Sequence, residues 1–339
     1  MSMHWKDLHA EVPRRWLGLE LTVGRRPRPS WRVEAAPPCL RLVREDRPLL
    51  WARIDRYYQG VRWVLGSEED TSALPPLRAH EVDSLLEPPL SDTWFAAWAR
   101  HFARGLDTSP FSPLHEGVWR LMRAFPVIHT PEWSRPPHAS PRELVHGMTH
   151  YLGQPLAGSI DWGSGYTNLL LGLKPASGLS PSRLKVWRKR SREGTLPPVL
   201  LLAVSSLDCF VVLDGHHRWM AALEEDAPVP LLALWPARAM DYSLGSSERQ
   251  RALERVCLLN AAEHGSRERR SPRPISVDRL NALALQAWDE GPHFHLRTRS
   301  WPLPGGLRTW GAEVRQRLAE LGAAVPSELR EALLDGLTP

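Results

Sequence analysis

Five consecutive residues, Asp214-Gly215-His216-His217-Arg218, carry the densest chemistry in this 339-residue chain. An apolar run at 210–213 stops at Asp214-Gly215, and good helix formers then continue from His216 to about residue 225. That order predicts a strand, a glycine turn and a helix, with two histidines and an arginine in the first helical turn. Unpaired backbone N–H groups and the positive end of the helix dipole favour an anion there. A phosphate is the expected anion, with the Arg218 guanidinium as its bidentate partner. Gly215 would let the backbone approach it, and His216 and His217 would donate to its oxygens. Asp214 would take a proton from an attacking hydroxyl or hold a magnesium ion. Phosphoryl transfer built this way is mostly positioning and charge stabilisation. The two histidines point about 100° apart on a helix, so they are not expected to share a metal. The plainer reading makes Asp214 a cap and the His-His-Arg run a solvated turn. Yet a helix N-terminus prefers acids, so a basic first turn makes most sense facing an anion.

Other candidates read more plainly. Arg183, Lys185, Arg188, Lys189, Arg190 and Arg192 form a basic helix that Leu184 and Trp187 would dock on a sheet, leaving a solvated face; a nucleic-acid contact is the sharper alternative. His146 and His150 have zinc-ligand spacing on an expected helix but lack the glutamate of an HExxH motif. His293 and His295 would share one side of a strand. Trp219 is expected in the core rather than stacked on a base. Cys39, Cys209 and Cys257 lie far apart, which suggests buried apolar residues and neither a zinc knuckle nor a disulfide framework.

The elements that must position the turn are only partly visible. Residues 49–64 read as strands or a hairpin with Gln59-Gly60 in the turn, and 67–89 as a surface loop with one short helix. Ser91-Asp92 opens a helix with Trp94, Phe95, Trp98 and Phe102 as its core stripe and Gly105 as its stop. A short helix is predicted at 114–124, a Pro-rich connector at 131–141, a helix at 141–151 and a loop at 153–165. From residue 168 the pattern becomes strand (168–173), helix (Ser180-Pro181 to Gly194), strand (198–204), turn, strand (209–213), helix (216–225) and strand (229–235), with the second and third strands as a hairpin. Helices are then expected near 247–264, 276–289, 312–321 and 327–334, with an arginine-rich linker between the first two.

Three regions follow: an N-terminal Trp- and Pro-rich α+β region (1–150), a phosphate-binding α+β domain (151–240) and a mainly helical C-terminal region (241–339). Hydrophobic residues make up 42% and charged residues 24%, as in ordinary globular proteins. No run approaches the roughly 20 apolar residues of a membrane helix, and the first 16 residues lack a secretory signal's apolar core, so a cytoplasmic location is expected. The net charge of +5 comes almost wholly from arginine in an Arg-, Pro-, Ala- and Leu-rich chain. It is therefore weak grounds for a polyanionic partner.

Residues 169–235, about a fifth of the chain, resemble the ParB N-terminal/sulfiredoxin-like superfamily. The likeness lies in a helix ending Arg192-Glu193-Gly194-Thr195-Leu196-Pro197-Pro198 before an apolar strand, in the strand hairpin, and in Asp214-Gly215-His216-His217-Arg218 ahead of a small-residue helix. It implies a small mixed sheet with helices. Partition proteins of this superfamily carry Gly-Glu-Arg-Arg at the turn and bind a nucleoside triphosphate; this chain keeps Gly215 and Arg218. Sulfiredoxins have a reactive cysteine where His216 stands, so sulfinic acid repair is not implied. The turn is most similar to that of the free serine kinase-like members, which transfer phosphate from a nucleotide to a small hydroxyl-bearing substrate. They use an acid at the Asp214 position and a second carboxylate, for which Asp161 is a candidate. The resemblance thus implies a nucleotide (ATP, ADP or CTP) with magnesium, and a phosphotransferase or NTPase. The alternative is a ParB-like DNA-associated or regulatory protein without turnover. Partition-type relatives follow this domain with a helix-turn-helix, whose turn spans three or four residues. Here about a dozen residues and two prolines separate the candidate helices.

Overall fold

A computed structural model describes residues 3–10, 15–54, 60–66, 71–85, 87–123, 149–153, 156–161, 169–207, 209–240, 293–296 and 298–337. One compact unit holds residues 1–130, 136–237 and 296–339; a second holds 131–135 and 238–295. In the second unit only strand residues 238–240 and 293–295 are described.

The first unit is mixed α+β, built on two mixed sheets. Its larger sheet follows the order β1 (Met3–Ala10), β2 (Arg15–Val23), β7 (Gly117–Arg123), β13 (Leu231–Met240), β11 (Val199–Val204), β12 (Cys209–Asp214), β10 (Leu169–Pro175), β8 (Thr149–Gly153). The β11–β12 hairpin is antiparallel, whereas β10 runs parallel to both β12 and β8. Every residue of β11 and β12 is buried, the pattern of strands covered on both faces. The smaller sheet runs β15 (Ser300–Pro302), β3 (Trp31–Ala36), β4 (Cys39–Arg44), β5 (Arg47–Ile54), β6 (Gly60–Leu65), β9 (Ala157–Asp161). β14 spans His293–Leu296.

Helix α1 covers Ala79–Asp83 and α2 covers Asp92–Thr108. The Ser91 hydroxyl caps α2 by accepting from the Trp94 N–H at 3.1 Å. Trp94, Phe95, Trp98 and Phe102 are buried as the stripe predicts, with α2 packed on β2 and β7. Helix α3 (Pro181–Arg192) packs against α4 (His216–Glu224). Helix α5 (Gly306–Leu321) is anchored where the Trp310 Nε1–H donates to the Leu40 carbonyl at 2.8 Å. Helix α6 (Ser327–Leu334) packs on β6 and β9.

Charge enters the core on β3 and β4. Glu34 is fully buried and accepts from Arg28, from Arg32 Nε at 2.9 Å and from Arg41 Nε at 2.8 Å. Arg41 also pairs with Glu313 of α5, which accepts from Trp51 Nε1 at 2.7 Å.

Several expectations need correction. Gly105 does not end α2. The helix continues to Thr108, and the glycine instead admits Leu74, whose Cδ2 would lie 3.1 Å from an added Cβ. Residues 117–123, expected helical, form β7, which pairs antiparallel with β2 and β13 and buries Trp119 and Leu121 in period-two alternation. Residues 149–151 are strand rather than helix, because β8 finds a parallel partner in β10. The loop expected at 153–165 contains β9, which pairs with β6. The loop before α1 is a surface feature only in part: Pro75, Pro76 and Arg78 are exposed, but Thr71 and Ala73 are buried, and the Ala73 N–H donates to the Leu213 carbonyl at 3.1 Å. The helices expected at 247–264 and 276–289, the connector at 131–141, and Cys257 lie outside the described residues. Cys39 and Cys209 are buried free thiols, and burial pushes the Cys39 thiol up to about 11. Among the described residues no helix is long and apolar enough to cross a membrane.

Candidate functional site

Asp214 closes β12, Gly215 turns the chain with φ 111°, and α4 begins at His216. Gly215 lies in the region that favours glycine and offers no capping side chain. The first intrahelical bond of α4 runs from the Trp219 N–H to the Gly215 carbonyl at 2.9 Å. The N–H groups of His216, His217 and Arg218 therefore have no partner within the helix. A Cβ on Gly215 would lie 2.8 Å from Arg218 Nη2 and 3.1 Å from its Cζ. The glycine thus makes room for the Arg218 guanidinium to fold back over the turn, a different use from the phosphate approach expected.

Arg218 is 3% exposed. Its Nη2 donates to Asp214 Oδ2 at 2.7 Å and to the Pro198 carbonyl at 3.0 Å. Arg218, expected as the bidentate partner of a phosphate, is thus engaged in part within the chain. One nitrogen is committed to an internal ion pair, and the guanidinium is held 5.6 Å from the centre of the Trp187 ring. The commitment is partial: the Nε–H is buried without an acceptor. Asp214, also buried, accepts from the Ser72 hydroxyl through Oδ1 at 3.2 Å. Oδ2 is thus held by Arg218, while the single proton of the Ser72 hydroxyl is shared between Oδ1 and the nearer Leu74 carbonyl at 2.9 Å. No cluster of three or more His, Cys, Asp or Glu fit for a metal occurs among the described residues.

The two histidines have unexpected partners. His216 Nε2 accepts from the Leu173 N–H at 3.0 Å, and His217 Nε2 accepts from the Ser180 N–H at 2.9 Å. A ring nitrogen that accepts is unprotonated, so the neutral ring carries its proton on Nδ1. Burial, followed by the nearby Lys174 charge, pushes His216 down to about 3. Burial and then Arg183 and Lys174 push His217 down to about 4. Both rings are neutral at pH 7, when they offer Nδ1–H donors and no exchangeable acid. Their Nε2 atoms tie the end of β10 and the start of α3 to the tip of α4.

Ahead of the turn lies a cavity of about 720 Å³, lined by all five motif residues together with Lys174, Arg183 and Trp187. Its facing wall comes from two N-terminal segments, 72–76 and 108–111. Such a volume matches small-molecule sites. Lys174 and Asp214 lie on β10 and β12, adjacent strands that run parallel. Ligands commonly gather at the carboxyl ends of parallel strands. Sequence reasoning missed Lys174 and the N-terminal wall. A lysine closing the apolar run 169–173 was the available signal for the first; nothing local marks the second.

The remaining candidates fall elsewhere. On α3, Arg188 and Arg192 pair with Glu225, Lys189 with Glu193 and Arg190 with Asp83. Arg183 is exposed and lines the cavity. Trp219 is fully buried, as a core residue. Asp161 ends β9 in the smaller sheet, opposite Gly60. His146 is outside the described residues; His150 lies in β8 and His293 and His295 in β14. No family model, no curated protein and no solved structure matches this chain.

Proposed function

We propose that this protein binds a phosphorylated small molecule of the nucleotide class (ATP, ADP or CTP) in the cavity ahead of Gly215, in the manner of a ParB/sulfiredoxin-like domain. The observation that carries the reading is Arg218: a guanidinium 97% removed from solvent, beside an open cavity, with a buried Nε–H that has no acceptor. Leaving a buried donor unsatisfied costs about 1–3 kcal/mol, and an anion at the helix tip would supply the missing acceptor. Lys174 and Arg183, which also line the cavity, add positive charge there. The same geometry favours binding over turnover. Asp214 holds Arg218 in place through Oδ2 at 2.7 Å. Phosphotransfer or NTP hydrolysis through Asp214 would have to begin with the ligand drawing Arg218 off it. The nucleic-acid reading gains little, because most of the basic charge on α3 is answered by neighbouring acids.

Titration calorimetry and thermal melts of the full chain with ATP, ADP, CTP and pyrophosphate test the proposal. Ligand at a hundred times its Kd should stabilise the fold by about 2.7 kcal/mol. Arg183→Ala, at an exposed position, should weaken binding several-fold and leave the unliganded melting temperature unchanged. Arg218→Ala is a poor test, since it strands the buried Asp214 carboxylate. No heat and no shift with any of the four ligands would overturn the reading.

A further inference from the structure

The wall facing the helix tip offers acceptors at several positions. Pro75, Pro76 and Pro110 line it and have no N–H to offer. The Thr108 hydroxyl donates to the Arg104 carbonyl at 3.1 Å, and the Ser109 hydroxyl to the Ala73 carbonyl at 2.7 Å. A hydroxyl has one proton and two lone pairs, so both present only acceptor capacity to the cavity. Two backbone donors of this wall are also engaged: the Ser109 N–H with the Gly105 carbonyl at 2.9 Å, the Phe111 N–H with Ser109 Oγ at 3.1 Å. Leu74 and Phe111 supply apolar surface between these acceptors. The cavity is therefore donor-rich at the α4 tip and acceptor-rich at the wall.

We infer that the ligand is a phosphate ester whose far end carries hydrogen-bond donors, such as the exocyclic amino group of a nucleobase, and that Thr108 and Ser109 select for it. This inference rests on the phosphate site proposed above and adds what lies at the other end of the ligand. A ligand whose far end bears only acceptors would set lone pairs against lone pairs.

The test is calorimetric, on the full chain. ATP and CTP are each compared with the analogue in which hydrogen replaces the exocyclic amino group, with pyrophosphate as the probe of the phosphate end alone. The deaminated analogues should bind roughly tenfold more weakly than their parents, the worth of one well-made hydrogen bond. Thr108→Val, an isosteric change at an exposed helix end, should shrink that ratio and leave pyrophosphate affinity unchanged. Equal affinities for parent and analogue would overturn the inference and leave the phosphate site standing. Failure to bind pyrophosphate or any nucleotide would overturn both.

Discussion

Lowering the pH from 7 to 5 should destabilise this protein, with His216 as a principal cause. Its ring is 6% exposed, and burial, then the Lys174 charge, hold it at about 3, against about 6.5 in an unfolded chain. Between those values the unfolded state takes up a proton that the native state refuses. Stability is therefore full above about pH 6.5 and falls as the pH drops through the window towards 3. From pH 7 to pH 5 the linkage amounts to about 2 kcal/mol for this one residue. His217, held at about 4 by burial and then by the Arg183 and Lys174 charges, acts in the same direction. Burial also holds His101 and His115 below their ordinary value, so a control is needed. His216→Gln retains an acceptor for the Leu173 N–H and has nothing to titrate. Urea unfolding at pH 7, 6 and 5 should show the variant losing about 2 kcal/mol less than the parent over that range. The carboxylates held low by arginine or lysine partners, such as Glu20 and Glu225, lose their contribution as the pH falls through about 4.5 and lower, mostly outside the pH 7 to 5 range of the test. An identical loss in the variant, or an NMR titration of His216 near 6.5, would refute the argument.

Glu34→Gln should cost about 3–5 kcal/mol in chemical denaturation, because it leaves Arg28, Arg32 and Arg41 around a buried neutral amide; a change under 1 kcal/mol would contradict the assignment. Gly215→Ala should lower stability by at least about 1–3 kcal/mol from the positive φ alone, and it should also abolish nucleotide binding by displacing Arg218; calorimetry on the folded variant checks the second effect. Trp310→Phe should cost about 1–3 kcal/mol, since the Leu40 carbonyl loses its indole donor, and limited proteolysis should then cut first near α5.

The parts of this fold that were legible from sequence are those decided locally. The continuous apolar runs at 199–204 and 209–213, separated by a polar turn, could only be buried strands. Ser180-Pro181 and Gly194 bracket α3 where capping and φ preferences put them. The turn at 214–218 was visible for the same reason. What escaped notice depends on distant partners. Val118 to Arg123 mixes apolar and basic residues in a way that suits either period. Its pairing with β2, a hundred residues earlier, makes it a strand. Gly105 looks like a stop until Leu74 is seen packed against it. At the site, residue types were readable and their bonds were not. No local rule tells that the imidazoles of His216 and His217 accept from backbone N–H groups, or that Asp214 holds Arg218.

The placement of β2 and β7 beside β13 has a consequence for anyone who trims this chain. Excising residues 151–240 would strip β7 from β13 and bare a long edge of unpaired amides and carbonyls, a template for aggregation. The excised piece would also keep the cationic half of the cavity and lose its opposite bank, which residues 72–76 and 108–111 provide. The sheet edge and the second wall of the cavity are thus covered by the same N-terminal segments, and a fragment meant to keep both must begin upstream of β2.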